Sequence, residues 1–512
     1  MKENIFKVDS VKKFWVNVCA YIIAFGLMIS TGGAWVNDAK LTLEQEDIIF
    51  RILVITILIS MILFIINSSK QYSISFSVKQ NIILFVLCCL TYLYKFQGDF
   101  QAYFWWFCIP ILWFIFFLVQ IDDINIVWRA FTNIVTIFAL ISLFYYFFGT
   151  CIKLIPETGI TEIYWGTWDT SAIRTFYNLY YEAQFIKTNG THVIARNCGI
   201  FSEAPMYNFV LCTAVASEIF LSNKKQWWKV IILSITIITT LSTTGYLFLI
   251  ITILLYLANI IFSDKGMNIH KIAFITLTIL GILMMGGILI HKMMTISGLG
   301  SMNVRNNHLI ACIKAWMDSP VLGVGYENQE AIMQYEKYQQ GMSVGITYLL
   351  ATGGILLSSL ILIPYFITMK NSLKERKFDT CIFETLFLIL YFFTAITGYP
   401  ILRFFIAYIL VFQHNREKNI QKKDAMKSII VKNLNSVECT ADEFKEYLRK
   451  RYKYIILIGG IFTAVYCGVS LINKTLFSLQ SIIYGIIVCA CGSLITILYF
   501  YIILLIKKEG YE

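Results

Sequence analysis

Long uninterrupted apolar runs are the feature that most restricts what this chain can fold into. Many of them extend over roughly 20 residues, the length that a helix needs to cross the hydrocarbon core of a bilayer. Hydrocarbon holds no water to satisfy an exposed backbone, so only helices and closed barrels cross it. The runs do not alternate between apolar and polar residues, which favours helices. The sequence therefore predicts an all-α, polytopic integral membrane protein.

The composition supports a membrane location. Hydrophobic residues make up 58% of the 512 residues and charged residues 14%, whereas a soluble domain has about 25% charged residues. The net charge of +11 would also suit a nucleic-acid-binding protein, but the lysines and arginines lie mostly between apolar runs, as orientation signals do. We therefore predict membrane lipid, and not nucleic acid, as a partner.

About fourteen transmembrane helices are predicted, with the N- and C-termini in the cytoplasm. The predicted spans are residues 14–32, 49–67, 80–96, 102–120, 127–149, 198–220, 227–243, 245–263, 270–290, 344–369, 380–397, 400–414, 453–473 and 479–506. Basic clusters in alternate short loops, such as Lys224, Lys225 and Lys229, determine this orientation. The basic N-terminal residues lead directly into the first apolar run, which we interpret as an uncleaved transmembrane helix.

Two predicted extracytoplasmic loops are long, at residues 150–197 and 291–343. Loops of this length in a compact protein are usually functional or disordered, and the composition of these two argues against disorder. The aromatic residues of the first suit an interfacial belt or stacking on sugar rings. We divide the chain into a transmembrane domain over residues 1–414, a basic cytoplasmic linker over 415–452 and a transmembrane hairpin over 453–512.

Familiar nucleotide-binding and hydrolase motifs are absent from the sequence, including the Walker A loop and the patterns GxGxxG, HExxH and GxSxG. The five histidines are dispersed, and no cysteine pair has the spacing of a zinc site. The sequence thus predicts no metal and no cofactor. Cys151 and Cys198 flank the first long loop and are a candidate disulfide, although most cysteines suit small apolar core positions.

Three arginines fall on the membrane side that the orientation rule disfavours. Arg174, Arg196 and Arg305 lie in the predicted outer loops, near membrane boundaries. A guanidinium group binds phosphate through paired hydrogen bonds and stays charged in a low dielectric. The three residues are therefore candidates for binding a phosphate group, and interfacial anchoring is the alternative.

Arg196 opens the segment RNCGIFSEAP, which leads into an apolar helix. Pro205 is favourable near a helix start. Glu203 is costly at membrane depth unless it is paired or functional. Arg196 is its candidate partner, so Glu203 either acts in the chemistry or holds Arg196 in place.

Arg305 opens the segment RNNHLIACIKAWMDSPVLGVGY. Helical spacing places Arg305 and Trp316 on one side of a helix, which Pro320 ends. Gly323 and Gly325 then form a turn where the backbone can approach a ligand closely. We predict an amphipathic outer helix over a cavity. The candidate substrate-binding residues are Arg174, His308, Trp316, Gly323, Gly325 and Tyr326.

In this order, the two segments resemble the O-antigen ligase and polymerase superfamily of bacterial polysaccharide assembly. The resemblance covers roughly residues 10–414. One shared feature is an Arg followed by a Gly, an aromatic residue and an acid–Pro step entering a helix. The other is an Arg on a helix with a Trp that ends in Pro-x-x-Gly-x-Gly. The matching residues are Arg196, Gly199, Phe201, Glu203 and Pro205, then Arg305, Trp316, Pro320, Gly323 and Gly325.

The resemblance implies a metal-independent glycosyltransferase on the outer face of the bacterial cytoplasmic membrane. Its substrates would be undecaprenyl-pyrophosphate-linked oligosaccharides, polymerised into a capsule, O-antigen or exopolysaccharide. The implied catalytic residues are Arg196 and Arg305, which stabilise the leaving pyrophosphate, and Glu203, which acts as a base or orients a sugar. A chain-length regulator or a flippase of the same pathway is an implied partner.

Two departures from the family pattern bear on the reaction. Thr243 and Thr244 stand where family members carry Ser-Arg, and Ser343 and Val344 stand where ligases carry a histidine before a Gly-x-x-Gly helix. The missing histidine favours a polymerase over a ligase, and His308 is a substitute candidate for the base. A ligase that transfers finished chains stays an alternative. So does a flippase for lipid-linked oligosaccharide, although the repeated halves typical of transporters are not seen.

Overall fold

The computed structural model describes residues 2–36, 107–121, 123–165, 169–187, 193–263, 278, 280–288, 296–326, 328–337, 343–375 and 377–412. The chain divides into two units, Met1–Gln421 and Lys422–Glu512, and every described residue belongs to the first. The predicted spans at 49–67, 80–96, 453–473 and 479–506 lie outside the described residues, as do the predicted linker over 415–452 and the hairpin over 453–512.

Helices make up most of the described chain. They are α1 (Lys2–Ile29), α2 (Ile109–Gln120), α3 (Ile126–Tyr145), α4 (Ala204–Phe220), α5 (Trp227–Thr239), α6 (Thr243–Ser263), α7 (Ile296–Asp318), α8 (Glu330–Met333), α9 (Ile346–Glu375), α10 (Asp379–Phe393) and α11 (Pro400–Phe412). A π-helical turn, Tyr146–Cys151, continues α3, and residues 280–288 are also helical.

Three helices of the described part are long and apolar enough to cross a membrane. They cover Ile126–Cys151, Thr243–Ile261 and Ile346–Glu375. Apolar helices that are shorter cover Val16–Ile29, Ala204–Phe220, Trp227–Thr239 and Pro400–Phe412. These helices confirm the prediction of a mostly helical membrane protein. The count of fourteen spans stays a prediction, because several of the predicted spans lie outside the described residues.

Two predicted spans differ from the observed helices for local reasons. The predicted span 198–220 becomes helical only at Ala204, because Gly199 takes a φ of +55° and Pro205 then occupies the first turn. The predicted span 344–369 is the longer helix α9, which is interrupted at Gly354 with φ 61° and ψ −166° and also contains Pro364. A proline or a non-helical residue inside a helix bends it.

The described part of residues 150–197, the first predicted outer loop, contains β-structure, which corrects the all-α prediction. Strands β1 (Gly159–Trp165), β2 (Asp169–Phe176) and β3 (Tyr180–Glu182) form an antiparallel sheet in that order. Strands β4 (Phe185–Lys187) and β5 (Val193–Ala195) form a second antiparallel pair. The described fold is therefore mostly helical, with two small sheets beside the helices.

Side-chain alternation explains why this segment forms strands. Thr161 and Ile163 are buried on one face of β1, whereas Ile160 and Glu162 are exposed on the other. In β2, Ile173 is buried between two exposed neighbours. This period of two in burial is the strand signature, but the residue types do not alternate in the same way, because Ile160 is exposed and Thr161 is buried.

The helical core is built around the buried indole of Trp128 on α3. Its ring contacts the rings of Phe383, Phe404 and Tyr408 edge to face, with centroids 5.1, 5.1 and 5.9 Å apart. Aromatic pairs of this geometry add about 0.5–1.5 kcal/mol each beyond the burial of area. This cluster joins α3, α10 and α11 into one framework.

The helices α3, α4 and α5 define two ends of the described unit. At one end, here called the Arg196 end, Asn197 donates to Ser142 at the end of α3 (3.4 Å) and to Thr239 at the end of α5 (2.9 Å). At the other, the Lys229 end, Asn125 before α3 donates to the carbonyl of Leu221 after α4 (3.4 Å). Since α4 has 17 residues, the two ends are about 25 Å apart.

Candidate functional site

Arg196, Glu203 and Arg305, the three predicted catalytic residues, meet at the Arg196 end. Arg196 follows β5, Glu203 immediately precedes α4, and Arg305 lies on α7. The positive charges of both arginines act on the Glu203 carboxyl, and the charge of Arg196 also acts on Arg305. Segments that are distant in the chain therefore place two cations and one carboxylate in a single electrostatic cluster.

The Arg196 guanidinium is held by two neutral acceptors. Nε donates to the carbonyl oxygen of Thr240 at 2.8 Å, and Nη1 donates to Oε1 of Gln184 at 3.0 Å. The same Gln184 oxygen accepts from the backbone N–H of Ala204 at 3.2 Å. Thr240 follows the last residue of α5, where a cation interacts favourably with the helix dipole. Arg196 thus connects the end of α5 to the start of α4.

The turn between Arg196 and Glu203 depends on Gly199. Its φ of +55° lies in the left-handed region, and a Cβ built there would lie 2.8 Å from ring carbons of Tyr207. The Tyr207 ring stacks on Phe201 with centroids 5.1 Å apart, and its hydroxyl lies 2.7 Å from Oγ of Ser142. Gly199 therefore lets the turn close against α4 and directs the next residues to the helix start.

The Glu203 side chain does not cap the helix that follows it. It stands at the N-cap of α4 but makes no side-chain capping bond, and its carboxylate forms no ion pair within 4 Å among the described residues. Burial raises the pKa of this carboxyl above its ordinary value, while Arg196 and Arg305 oppose the rise. A carboxylate of this kind is a candidate proton acceptor.

Tyr399 belongs to the same cluster, although the sequence interpretation did not include it. It lies in the turn between α10 and α11. Burial, together with the charge of Glu203, raises the pKa of its phenol to about 12. No sequence motif marks Tyr399, because only the packing of α10 and α11 against α3 brings this turn to the site.

Arg305 faces the cluster without a hydrogen bond or ion pair in the described part of the chain. Burial lowers the pKa of its guanidinium, as does the charge of Arg196, whereas Glu203 raises it. Arg305 also lines a cavity of about 460 Å³ between α6, α7 and α10. The other lining residues are mostly apolar and include Leu247, Phe248, Met302, Leu309, Phe392 and Phe393. Thr243 and Thr244 line the same cavity.

This arrangement suits a ligand with an anionic group joined to an apolar chain. Guanidinium groups offer paired donors to phosphate oxygens, and Arg305 has its donors available. Because burial makes an unpaired cation costly, an anion bound between the arginines would lower the free energy of both. The apolar cavity beside Arg305 would take a hydrocarbon segment.

Arg174 does not join the cluster in this structure. It lies on β2, its side chain is mostly exposed, and Nε is 3.0 Å from an oxygen of Glu157. Its Nη1 is 3.9 Å from Glu182. The charges that act on Glu203 come from the other two arginines. The substrate-binding role of Arg174 stays a prediction, and its geometry is that of a surface ion pair.

His308 is fully buried on α7 and contacts Ser343. Its Nδ1 is 2.7 Å from the Ser343 hydroxyl and accepts from the Ser343 backbone N–H at 3.2 Å. Its Nε2 is 3.8 Å from Oε1 of Glu336. Because Nδ1 accepts a hydrogen bond, a neutral imidazole here carries its proton on Nε2.

The predicted helix that carries Arg305 and Trp316 and ends at Pro320 is present as part of α7, which ends at Asp318. The indole of Trp316 donates to the carbonyl of Pro320 at 3.0 Å, so this side chain closes the helix end. Gly323 has a φ of +72°, and a Cβ there would lie 2.4 Å from the backbone carbonyl of Thr352. The backbone at Gly323 therefore lies close to α9. Ligand contact at this turn stays a prediction.

Arg403 on α11 is a charged residue that the sequence interpretation missed. It is 2% exposed. Its Nη2 donates to the hydroxyl of Tyr326 at 3.0 Å and its Nη1 to the carbonyl of Gly398 at 2.7 Å. Tyr326, a predicted substrate-binding residue, is thus held from α11. An arginine inside the predicted span 400–414 was the available signal, since charged residues at membrane depth are usually functional.

Cys151 and Cys198, the candidate disulfide, are both free thiols, the first exposed and the second buried. Among the described residues, no group of three His, Cys, Asp or Glu side chains is placed to hold a metal ion. The site therefore consists of guanidinium, carboxyl, phenol and amide groups.

No protein-family model, curated protein or solved structure matches this chain.

Proposed function

We propose that this chain is a multi-pass glycosyltransferase of the bacterial cytoplasmic membrane. It would polymerise undecaprenyl-pyrophosphate-linked oligosaccharides on the outer face into a capsule, O-antigen or exopolysaccharide. The proposal includes a topology of about fourteen spans with both termini in the cytoplasm. The observation that carries it is the meeting of Arg196, Arg305 and Glu203 beside an apolar cavity.

The proposed substrate has two parts that correspond to two parts of the site. The pyrophosphate would lie between Arg196 and Arg305, whose charges already interact. The first part of the isoprenoid chain would enter the cavity of about 460 Å³ beside Arg305, and the rest would lie in the bilayer. An amphipathic site of this kind fits a lipid-linked donor better than it fits a soluble sugar nucleotide.

The proposed reaction forms one bond and breaks another at the anomeric carbon of the donor sugar. A hydroxyl oxygen of the incoming repeat unit bonds to that carbon, and the bond from the carbon to the pyrophosphate oxygen breaks. The hydroxyl proton passes to the Glu203 carboxylate, and undecaprenyl pyrophosphate leaves. Arg196 and Arg305 stabilise the negative charge that gathers on the leaving group. The lipid pyrophosphate supplies the driving force, so the reaction needs no nucleotide and no metal.

The role of Glu203 as a proton acceptor predicts a particular pH dependence. Only the ionised carboxylate accepts the proton, so the rate rises as the pH rises through its pKa. Because burial raises that pKa, the acid limb should lie above the range of an ordinary carboxyl, which titrates near about 4.3. Glu203→Gln should lower the rate by a factor on the order of 10²–10⁴ and remove this limb. The measurement is the rate of polymer formation by purified protein against pH.

A control variant for this experiment is Glu330→Gln, which changes an exposed carboxyl in the first turn of α8. It should keep both the rate and the acid limb of the parent protein. If Glu203→Gln retained the acid limb, Glu203 would not be the proton acceptor.

A deletion experiment separates the proposed polymerase from a flippase. In a polysaccharide-producing host that lacks this chain, single lipid-linked repeat units should accumulate on the outer leaflet, and polymer ladders should vanish from gels. Accumulation on the inner leaflet would contradict the proposal and indicate a flippase. The full-length chain restored on a plasmid is the control.

One observation favours a ligase as the second candidate. His308 lies against Ser343, at the position where ligases carry a histidine, so an imidazole is present in that neighbourhood after all. A ligase would lose attachment of finished chains to their acceptor when His308→Gln is introduced, with the length of the polymer preserved. A polymerase would instead lose length.

A further inference from the structure

A second cavity lies at the Lys229 end, on the far side of the helices from Arg196. Its volume is about 400 Å³, and residues of α1, α3 and the connection from α4 to α5 line it. Three lining residues are cations, namely Arg129, Lys224 and Lys229, and one is acidic, Glu218. The proposed glycosyl transfer uses none of these residues.

The buried ammonium of Lys229 distinguishes this cavity from an ordinary polar surface. Lys229 is 9% exposed. Its Nζ donates to Oδ1 of Asn133 and lies 5.7 Å from the centroid of the Trp228 ring. Within the described ranges, no carboxylate oxygen lies within 4 Å of this ammonium. A buried cation with only neutral partners is costly, so an anion in the cavity would lower its free energy.

Neither of the nearby described carboxylates pairs with Lys229. Oε1 of Glu218 accepts from the backbone N–H of Gln226 at 2.7 Å, just before α5 begins. Asp123 forms an ion pair with Nη2 of Arg129. In the described part of the chain, three cations face these two acids, which leaves an excess of positive charge at the cavity. The excess favours an anionic ligand.

The surroundings of the cavity favour an anion that carries hydrocarbon. Tyr21, which lines the cavity, and Phe25 are both exposed on α1. The Phe25 ring lies 6.5 Å from that of Phe138 on α3, so an apolar surface leads away from the cavity along these helices. Trp227 is exposed at the start of α5, as tryptophans at the headgroup level of a membrane are.

We propose that this cavity binds the phosphate headgroup of an anionic phospholipid. Lys224 and Lys229 supply compact positive charge, and Arg129 adds a planar pair of donors. The acyl chains would lie along the exposed apolar surface of α1 and α3. The basic cluster around Lys224 is predicted to face the cytoplasm, where basic pockets between helices bind anionic headgroups.

The test measures lipid binding by the full-length protein purified in detergent. Native mass spectrometry with added phosphatidylglycerol or phosphatidylcholine should show that the protein retains the anionic lipid and not the zwitterionic one. Arg129→Gln and Lys229→Met should each weaken retention of phosphatidylglycerol about fivefold, the effect of one cation near a lipid surface.

Lys225→Gln is the matched control, because it removes a neighbouring charge that does not line the cavity. The Lys225 ammonium lies 4.8 Å from the centroid of the Tyr256 ring. This variant should bind phosphatidylglycerol like the parent protein. Since Lys229 is buried, its variant is judged only if its thermal unfolding in lipid-free detergent matches that of the parent. If the Lys229 variant unfolds at a lower temperature than the parent, the Arg129 variant decides the test, because Arg129 is more exposed.

Equal retention of the two lipids would overturn the proposal, as would an equal loss in Lys225→Gln. Inorganic phosphate is the third probe. If it raised the unfolding temperature at concentrations as low as phosphatidylglycerol does, the cavity would be a site for free phosphate and not for a lipid. Polymer formation is not a readout, so failure of the proposed glycosyl transfer would leave this result unaffected.

Discussion

Arg305→Ala is expected to abolish polymer ladders while the protein stays in the membrane at its normal level. Arg305 has no hydrogen bond or ion pair among the described residues, so its donors are available to the leaving pyrophosphate of the proposed reaction. Removing one preorganised donor from charge that develops in a transition state costs on the order of 10²–10³ in rate. The measurement is the rate of polymer formation from lipid-linked repeat units, with the protein level followed on an immunoblot.

Lys314→Ala is the matched control for this prediction. Lys314 lies on the same helix, is exposed, and stands 5.9 Å from the centroid of the Tyr335 ring. Its loss should leave the ladders unchanged. Arg305→Lys should be intermediate, because an ammonium keeps the charge but not the planar pair of donors. Normal ladders from Arg305→Ala would remove Arg305 from the reaction.

Gly323→Ala is expected to remove most of the folded protein. The residue would need to keep a φ of +72° with its Cβ 2.4 Å from backbone atoms of Thr352 and 2.5 Å from the amide nitrogen of Gly353. The left-handed conformation costs about 1–2 kcal/mol, and overpacking typically adds about 1–3 kcal/mol. The backbone of α9 has to move, because the atoms in contact do not belong to a flexible side chain. The measurement is the thermal unfolding temperature in detergent, together with the level in membranes.

The control for this variant is Gly300→Ala on α7. A Cβ at Gly300 would meet nothing within 4 Å, and alanine is the better helix former by about 1 kcal/mol. This variant should unfold at the parent temperature or above it. A Gly323→Ala protein with the parent unfolding temperature would show that α9 does not pack against this turn as described.

Several local features could be predicted because they depend on neighbouring residues alone. The helix after Arg305 ends before Pro320, as the missing N–H of proline dictates. The helix after Glu203 begins next to Pro205. The strands β1 and β2 were not predicted, because their alternation is in burial and not in residue type: Ile160 is exposed, whereas Thr161 and Thr175 are buried.

The candidate site was predictable in its residue types and not in its geometry. Arg196 and Arg305 stood out because they fall on the membrane side that the orientation rule disfavours, and Glu203 because a carboxylate at membrane depth is costly. That their charges interact depends on how β5, α4 and α7 pack. Tyr399 was missed because its position follows from the packing of α10 and α11 around Trp128, whereas Arg403 carried the signal of a charge inside a predicted span.

The sequence by itself determined that this chain is mostly helical and membrane-embedded, because hydrocarbon accepts only backbone that bonds to itself and helices do this over apolar runs of membrane-spanning length. The tertiary structure decided which charges meet. Arg305 reaches the cluster of Arg196 and Glu203, whereas Arg174 pairs with Glu157 on an exposed strand. Sequence patterns report the neighbours of a residue along the chain. Contacts between distant segments depend on the packing of whole helices, which no single segment encodes.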